Sequence, residues 1–304
     1  MTNETQCGVI ALIGPPNAGK STLVNMLLGQ KIVPVCHKAQ TTQRAVRAIL
    51  SSQMTQYIFI DTPGVLKARH GLQHFMAGQA EGALESVDCA ALVVDAAVML
   101  HKAHEILPDV EAVLKNIDKS KIVVVLNKVD LIKDKEQLLA VLELLQKMGY
   151  HDIVPVSAQK NTGLDRLLKV IETKLPKAPF VFDPELLSDA AERDLARELI
   201  REKVLELTHE EVPYQVAVTI EHFDEARRND AKKPLVHISA NLHVAADSQK
   251  AIILGKGGSK IKAIGQSARK DLEALLGVQV MLELFVRVEK DWMNQRDKLR
   301  KLGY

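Results

Sequence analysis

Gly14-Pro15-Pro16-Asn17-Ala18-Gly19-Lys20-Ser21 fits the pattern G-x-x-x-x-G-K-[ST] and lies between an apolar run, 8–13, and a stretch of helical period, 21–28. Few folds accommodate that octapeptide in that setting. A strand must end, a tight turn must follow, and a helix must begin, with the backbone N–H groups of the turn pointing inward. Such a turn cradles phosphate. Lys20 is then expected to bridge the β- and γ-phosphates of a nucleotide, and the Ser21 hydroxyl to ligate Mg²⁺.

Four more short apolar runs, at 57–60, 89–94, 121–126 and 153–156, punctuate the first 160 positions and alternate with helical stretches such as 136–148. Buried strands without polar alternation, interleaved with helices, predict a mostly parallel sheet covered on both faces. Residues 45–51 read as a further, edge strand. The pattern fades across 175–189, LPKAPFVFDPELLSD, whose three prolines read as a linker. Beyond it the rhythm changes. A long amphipathic helix near 190–208 precedes alternating strands at 214–223 and 235–244, a helix–GKGG–helix unit at 248–276, a strand at 278–288 and a last basic helix. The division expected is 1–175, a nucleotide-binding domain; 176–189, a linker; and 190–304, a smaller α+β domain of order αββααβ with a C-terminal helix.

The 304 residues carry 40 Lys and Arg against 38 Asp and Glu, so overall charge points to no particular partner. Local distribution is more telling: between 248 and 270 six basic residues (Lys250, Lys256, Lys260, Lys262, Arg269, Lys270) meet no acidic one. Three scattered cysteines, Cys7, Cys36 and Cys89, form no C-x-x-C pair, which argues against a disulfide scaffold or zinc site and for a reducing compartment. The longest apolar run, 89–100, is too short for a membrane span. The N-terminal residues lack the basic start of a signal peptide.

Further motifs close the other strands. Asp61-Thr62-Pro63-Gly64 follows 57–60, where the carboxylate can hold Mg²⁺ directly or through water and the Gly64 N–H can meet a γ-phosphate. Asn127-Lys128-Val129-Asp130 follows 121–126, where Asp130 can accept the N1–H and exocyclic amine of guanine, which adenine lacks. Ser157-Ala158 follows 153–156 and can offer a backbone N–H to guanine O6. Each falls at the carboxyl end of a strand, where open α/β sheets bind ligands. In order and spacing they match a translation-factor-type GTPase. Gln40-Thr41-Thr42-Gln43 resembles the first switch, with Thr42 favoured over Thr41 as the residue reaching Mg²⁺ and the γ-phosphate. Where Ras-like enzymes place a water-orienting glutamine, this chain has Val65. Slow intrinsic hydrolysis is therefore expected, and Asn17 is a candidate companion to an activating K⁺ ion.

Gly255-Lys256-Gly257-Gly258, with Lys260 and Lys262 just beyond, sets a GxxG loop between two helices, the device by which KH domains clamp nucleic-acid backbone. The scarcity of aromatic residues, 4% of the chain, suits this better than base-stacking modules.

With these motifs, VPYQVAVTIEHF, ILGKGGSKIKAIGQSARKDLE and the terminal RKLGY, the chain resembles the Era family of bacterial GTPases over essentially its whole length. The resemblance implies an α/β P-loop GTPase domain followed by a type II KH domain. It also implies GTP/GDP and Mg²⁺ as ligands, with catalytic roles at Lys20, Thr42, Asp61 and Gly64. The implied partner is the 3′ end of small-subunit ribosomal RNA, and the implied role is assistance to 30S assembly. A cytoplasmic monomer with peripheral contact to the inner membrane completes the implication. A nucleotide-dependent RNA-binding scaffold, or an Era-like GTPase with another RNA target, is the alternative. In the second switch, 66–75, Lys67, Arg69, His70 and His74 read as a solvated mobile loop. His101 and His104 read as surface histidines.

Overall fold

The computed structural model describes residues 4–35, 42–64, 71–208, 212 and 216–304. Cys36, Gln40, Thr41, Val65, Lys67, Arg69 and His70 lie outside the described residues.

The chain divides into two compact units. The first holds most of the residues up to Asp189. Its elements are β1 (Gln6–Ile13), α1 (Lys20–Leu28), β2 (Val46–Ser51), β3 (Thr55–Asp61), the part of α2 (Gly71–Gly82) from Met76 onward, β4 (Cys89–Asp95), α3 (Ala96–Leu114), β5 (Ile122–Asn127), α4 (Lys135–Lys147), β6 (Ile153–Pro155) and α5 (Leu164–Glu172). The six strands form one sheet in the order β2-β3-β1-β4-β5-β6. All neighbours are parallel except β2, which pairs antiparallel with β3 at the edge. The Val- and Ile-rich runs are buried as sandwiched strands must be: β5 is buried at every position. The apolar run 89–100 is not one element. Asp95 breaks it by capping α3, its carboxylate accepting from the N–H groups of Ala97 and Val98.

The proline-rich segment after α5 is laid along this unit rather than spanning open space. Cys7 N–H donates to Pro176 O at 3.3 Å and Ile49 N–H to Leu187 O at 2.8 Å. The buried amide of Gln56 accepts from Val181 N and Phe182 N and donates to Phe182 O. The chain is strapped down as far as Asp189, which pairs with Arg47 at 2.6 Å.

The second unit comprises α6 (Glu192–Leu207), β7 (Val216–Arg227), β8 (Leu235–Val244), α7 (Asp247–Leu254), α8 (Ser259–Leu276), β9 (Gln279–Val288) and α9 (Arg296–Lys301). Its sheet runs β7-β8-β9, with β7/β8 antiparallel and β8/β9 parallel. That is the αββααβ order of a type II KH domain. The core lies between one sheet face and α6, α7 and α8: Val236, Ile238, Ala240, Leu242 and Val244 meet Leu199, Ile253, Ile264 and Leu272.

Two features depart from the sequence expectation. α6 is buried nearly all round rather than on one stripe, with Glu198, Arg201, Glu202 and Lys203 among its buried residues. Those charges persist because they are paired: Arg201 with Glu198 at 3.0 Å, and Lys203 with Glu202, Glu206 and Asp271 at 2.8–3.2 Å. His74 stands in helix α2, not in a loop, though it is exposed as expected. Residues 71–75, with 34–35, cluster with the second unit. There Leu72 N–H donates to Met293 O at 3.1 Å, the Phe75 ring meets Tyr304 edge-on, and Val35 N–H donates to Glu202 Oε2 at 3.0 Å.

Candidate functional site

The turn from Gly14 to Gly19 joins β1 to α1, so Lys20 starts the helix at its dipole-positive end. Lys20 is 6% exposed and its ammonium curls back onto Gly14 O at 3.0 Å and Pro15 O at 3.1 Å. Burial pulls its pKa down to about 8, against the opposing attraction of Asp61. A phosphate in the turn would restore the charge partner that these carbonyls stand in for.

Ser21 of α1, Thr42 of the segment before β2 and Asp61 of β3 come together. Ser21 Oγ donates to Asp61 Oδ2 at 2.7 Å, and Thr42 Oγ1 donates to the same oxygen at 3.1 Å. The two hydroxyls are 3.2 Å apart. Asp61 is wholly buried, and that burial raises its pKa, while Lys20 and the bonds from Ser21 and Thr42 work the other way. Its Oδ1 is buried with no hydrogen-bond partner among the described residues. One carboxylate, whose Oδ1 is unsatisfied, and two hydroxyls form a hard-oxygen set suited to Mg²⁺, which takes its remaining ligands from phosphate and water. The residues present therefore fit that ion. Thr62 Oγ1 donates to Leu12 O at 2.6 Å, tying this loop to β1, and Pro63 is buried beside it. Gly64 presses on the phosphate turn so closely that a Cβ would fall 2.7 Å from Pro16 N.

The guanine motif is fastened to the same turn. Asn127 Nδ2 donates to Ala18 O at 2.9 Å, and its Oδ1 accepts from Ala158 N–H at 3.0 Å. One amide thus holds three motifs in register, a scaffolding role that the sequence does not display. Lys128 has a left-handed backbone (φ 61°), and its Nζ reaches Asn17 O at 2.6 Å and Asp95 Oδ2 at 2.8 Å. Val129 N–H donates to Val156 O, and Asp130 is exposed in the following turn. The Ser157 and Ala158 N–H groups, expected to face guanine O6, are already engaged: Ser157 donates to Thr162 O at 3.0 Å, and Ala158 to Asn127. A base contact from Ala158 must share that hydrogen. The Asn17 side chain is exposed. His101 and His104 are exposed on α3, and the described residues contain no cluster of three or more His, Cys, Asp or Glu able to hold a metal.

In the second unit, Gly255, Gly257 and Gly258 all take positive φ (69°, 60° and 77°), turning the chain from α7 into α8 in a way no side-chain-bearing residue adopts easily. Lys256 is exposed in the turn, and Lys260 and Lys262 stand in the first turns of α8. Beside them a groove of about 410 Å³ runs between α8 and β9. Ile261, Lys262, Gly265, Gln266 and Arg269 form one wall, and Val280, Leu282 and Leu284 the other. Of these, the sequence marked Lys262 as an RNA contact and Arg269 only as one of the basic residues between 248 and 270. The i, i+4, i+8 spacing of Ile261, Gly265 and Arg269 was the available signal for a helix face continuing from the glycine turn.

Fold and geometry together define a P-loop GTPase domain joined to a KH domain. The family model for 50S ribosome-binding GTPases matches residues 9–128, and that for KH domains matches 211–293. A crystal structure of Era in complex with MgGDPNP and nucleotides 1506–1542 of 16S ribosomal RNA is similar at a TM-score of 0.90 and 35% identity, covering 99% of each chain. A variant of Aquifex aeolicus Era bound to GDP and AlF4⁻ matches to the same extent. The chain belongs to the Era family.

Proposed function

We propose that this chain is a GTP hydrolase whose nucleotide state governs binding of its KH domain to the 3′ end of small-subunit ribosomal RNA during 30S assembly. The observation that carries the reading is end-to-end similarity to an Era captured with both MgGDPNP and 16S RNA. The domains on this reading are 1–175 and 190–304, joined by 176–189.

Mechanistically, residues 14–21 would hold the phosphates, and Ser21, Thr42 and Asp61 would hold Mg²⁺, which when bound would supply positive charge to the phosphoryl group. Lys20 stabilises charge on the β- and γ-oxygens, and the Gly64 N–H senses the γ-phosphate. Asn127–Asp130 select guanine, with Ser157 and Ala158 completing the pocket. Gly255–Gly258, Lys260 and Lys262 grip RNA backbone, and the α8/β9 groove seats bases. With Val65 in place of a water-orienting glutamine, slow intrinsic turnover is expected; Asn17 is the residue that would accompany a K⁺ ion, which would supply positive charge to the phosphates if bound. Because RNA binds one nucleotide state better, it must in turn alter nucleotide affinity or turnover. Cytoplasmic location, a monomeric state and peripheral contact with the inner membrane follow from family resemblance. Among the described residues no helix is long and apolar enough to cross a membrane.

The test is fluorescence anisotropy of a short RNA copied from the 3′ end of small-subunit rRNA, at fixed salt, with GDP or a non-hydrolysable GTP analogue. Tight binding favoured by the analogue and lost in Gly257→Asp is expected. Equal affinity in both states, with no effect of RNA on turnover, would sink the switch. Phosphate release with and without K⁺, abolished in Lys20→Ala, separates an enzyme from a nucleotide-dependent scaffold.

A further inference from the structure

Asp95 ends β4 opposite Asn127 of β5 and begins α3. Its two carboxylate oxygens do different things. Oδ1 accepts from Ala97 N–H at 2.9 Å and Val98 N–H at 3.2 Å, capping the helix. Oδ2 lies 2.8 Å from Lys128 Nζ, which also donates to Asn17 O at 2.6 Å. The side chains are 12% and 33% exposed, so water screens this pair only partly. Along the way Lys128 Cε passes 3.9 Å from where a Cβ on Gly19 would stand, so the lysine stem lies across the phosphate turn.

We propose that Asp95 is a positioning residue for guanine-nucleotide retention, acting through Lys128. A free lysine has four rotatable bonds and loses much freedom when a base settles against its stem. Here that freedom is already spent, because Asp95 and Asn17 pin the ammonium at both sides. Asp95 is itself rigid, fixed by strand pairing and by its own cap. The carboxylate thereby links three parts that must agree in space: the phosphate turn, the guanine motif and the start of α3. The inference rests on reading 127–130 as the guanine site.

Asp95→Asn separates the two duties of the side chain. Asparagine caps helices about as well as aspartate, so the cap survives, but the negative charge that faces Lys128 is gone. Dissociation of a fluorescent GDP analogue, at constant salt, should be about tenfold faster, the scale of one lost charge-assisted hydrogen bond. kcat at saturating GTP should not move, and the thermal midpoint of nucleotide-free protein should match the parent. In a Lys128→Met background, Asp95→Asn should change dissociation no further, because the group through which it acts is absent. Asp95→Ser, which also caps, repeats the test if the first variant folds poorly. GDP dissociation unchanged in either variant overturns the proposal, as does an equal acceleration in the Lys128→Met background. A parent protein that does not bind GDP would overturn the guanine reading itself, and this inference with it.

Discussion

Ser21 Oγ donates to Asp61 Oδ2 across 2.7 Å, while Oδ1 of the same carboxylate is buried with no partner among the described residues. A buried anionic oxygen without a hydrogen bond is costly, and a cation is the simplest relief. Asp61→Asn keeps the shape but not the charge. It should weaken Mg²⁺ dependence of GTP-analogue binding and lower turnover roughly 100-fold, while GDP binding in EDTA changes little. A Mg²⁺ titration of analogue affinity checks this. Coincident curves for the parent and Asp61→Asn would remove Asp61 from the ion's coordination.

The α8/β9 groove makes a second case, because a substitution there can block it without disturbing the core. A Cβ at Gly265 would meet only Leu284 Cδ1, at 3.7 Å, an ordinary contact. Leucine also favours helix over glycine. Gly265→Leu should therefore leave the thermal midpoint unchanged or raised, keep GTP turnover, and reduce RNA affinity at least about tenfold, the scale of one unseated base. Unaltered RNA affinity would show that RNA does not use this groove.

Gln56 offers a stability test in the first unit. Its side chain is fully buried and serves Val181 N, Phe182 N and Phe182 O at 2.9–3.0 Å. Gln56→Leu strips all three backbone groups of their partner at once. A loss of about 2–3 kcal/mol is expected in urea unfolding, with faster proteolysis within 176–189. Unchanged unfolding and proteolysis would mean the strap is held by its other bonds alone.

Much of this was legible in the sequence, for a reason visible in particular residues. Gly14–Ser21, Asp61–Gly64 and Asn127–Asp130 lie where strands end, and strand ends are marked by apolar runs meeting Gly, Asp or Asn. The edge strand β2 is readable from 45–51, though its antiparallel direction is not. What escaped depends on partners distant in sequence. Gln56 looks like an ordinary strand residue until Val181 and Phe182 fold onto it. Asp95 lies inside an apolar run and shows its relation to Lys128 only once β4 and β5 pair. The amphipathic period of 190–208 says nothing of which charges are buried, and only tertiary packing reveals that Glu202 takes the N–H of Val35.

His243 carries the last prediction. It is 6% exposed on β8, on the face away from the helices, with Nε2 hydrogen-bonded to Thr219 Oγ1 at 2.9 Å. Burial holds its pKa below the ordinary value of 6.5; Glu289 and Glu221 pull upward and Arg287 downward. The folded chain thus prefers neutral imidazole. As pH falls below about 6.5, the unfolded chain binds a proton that the folded one resists, so stability declines until the folded imidazole also titrates. His243→Gln, which can still bond Thr219, removes this contribution. Urea midpoints of parent and variant, measured from pH 7.5 down to pH 5, should converge or cross as the parent loses more stability. Parallel curves across that interval would mean that His243 folds with an unshifted proton affinity.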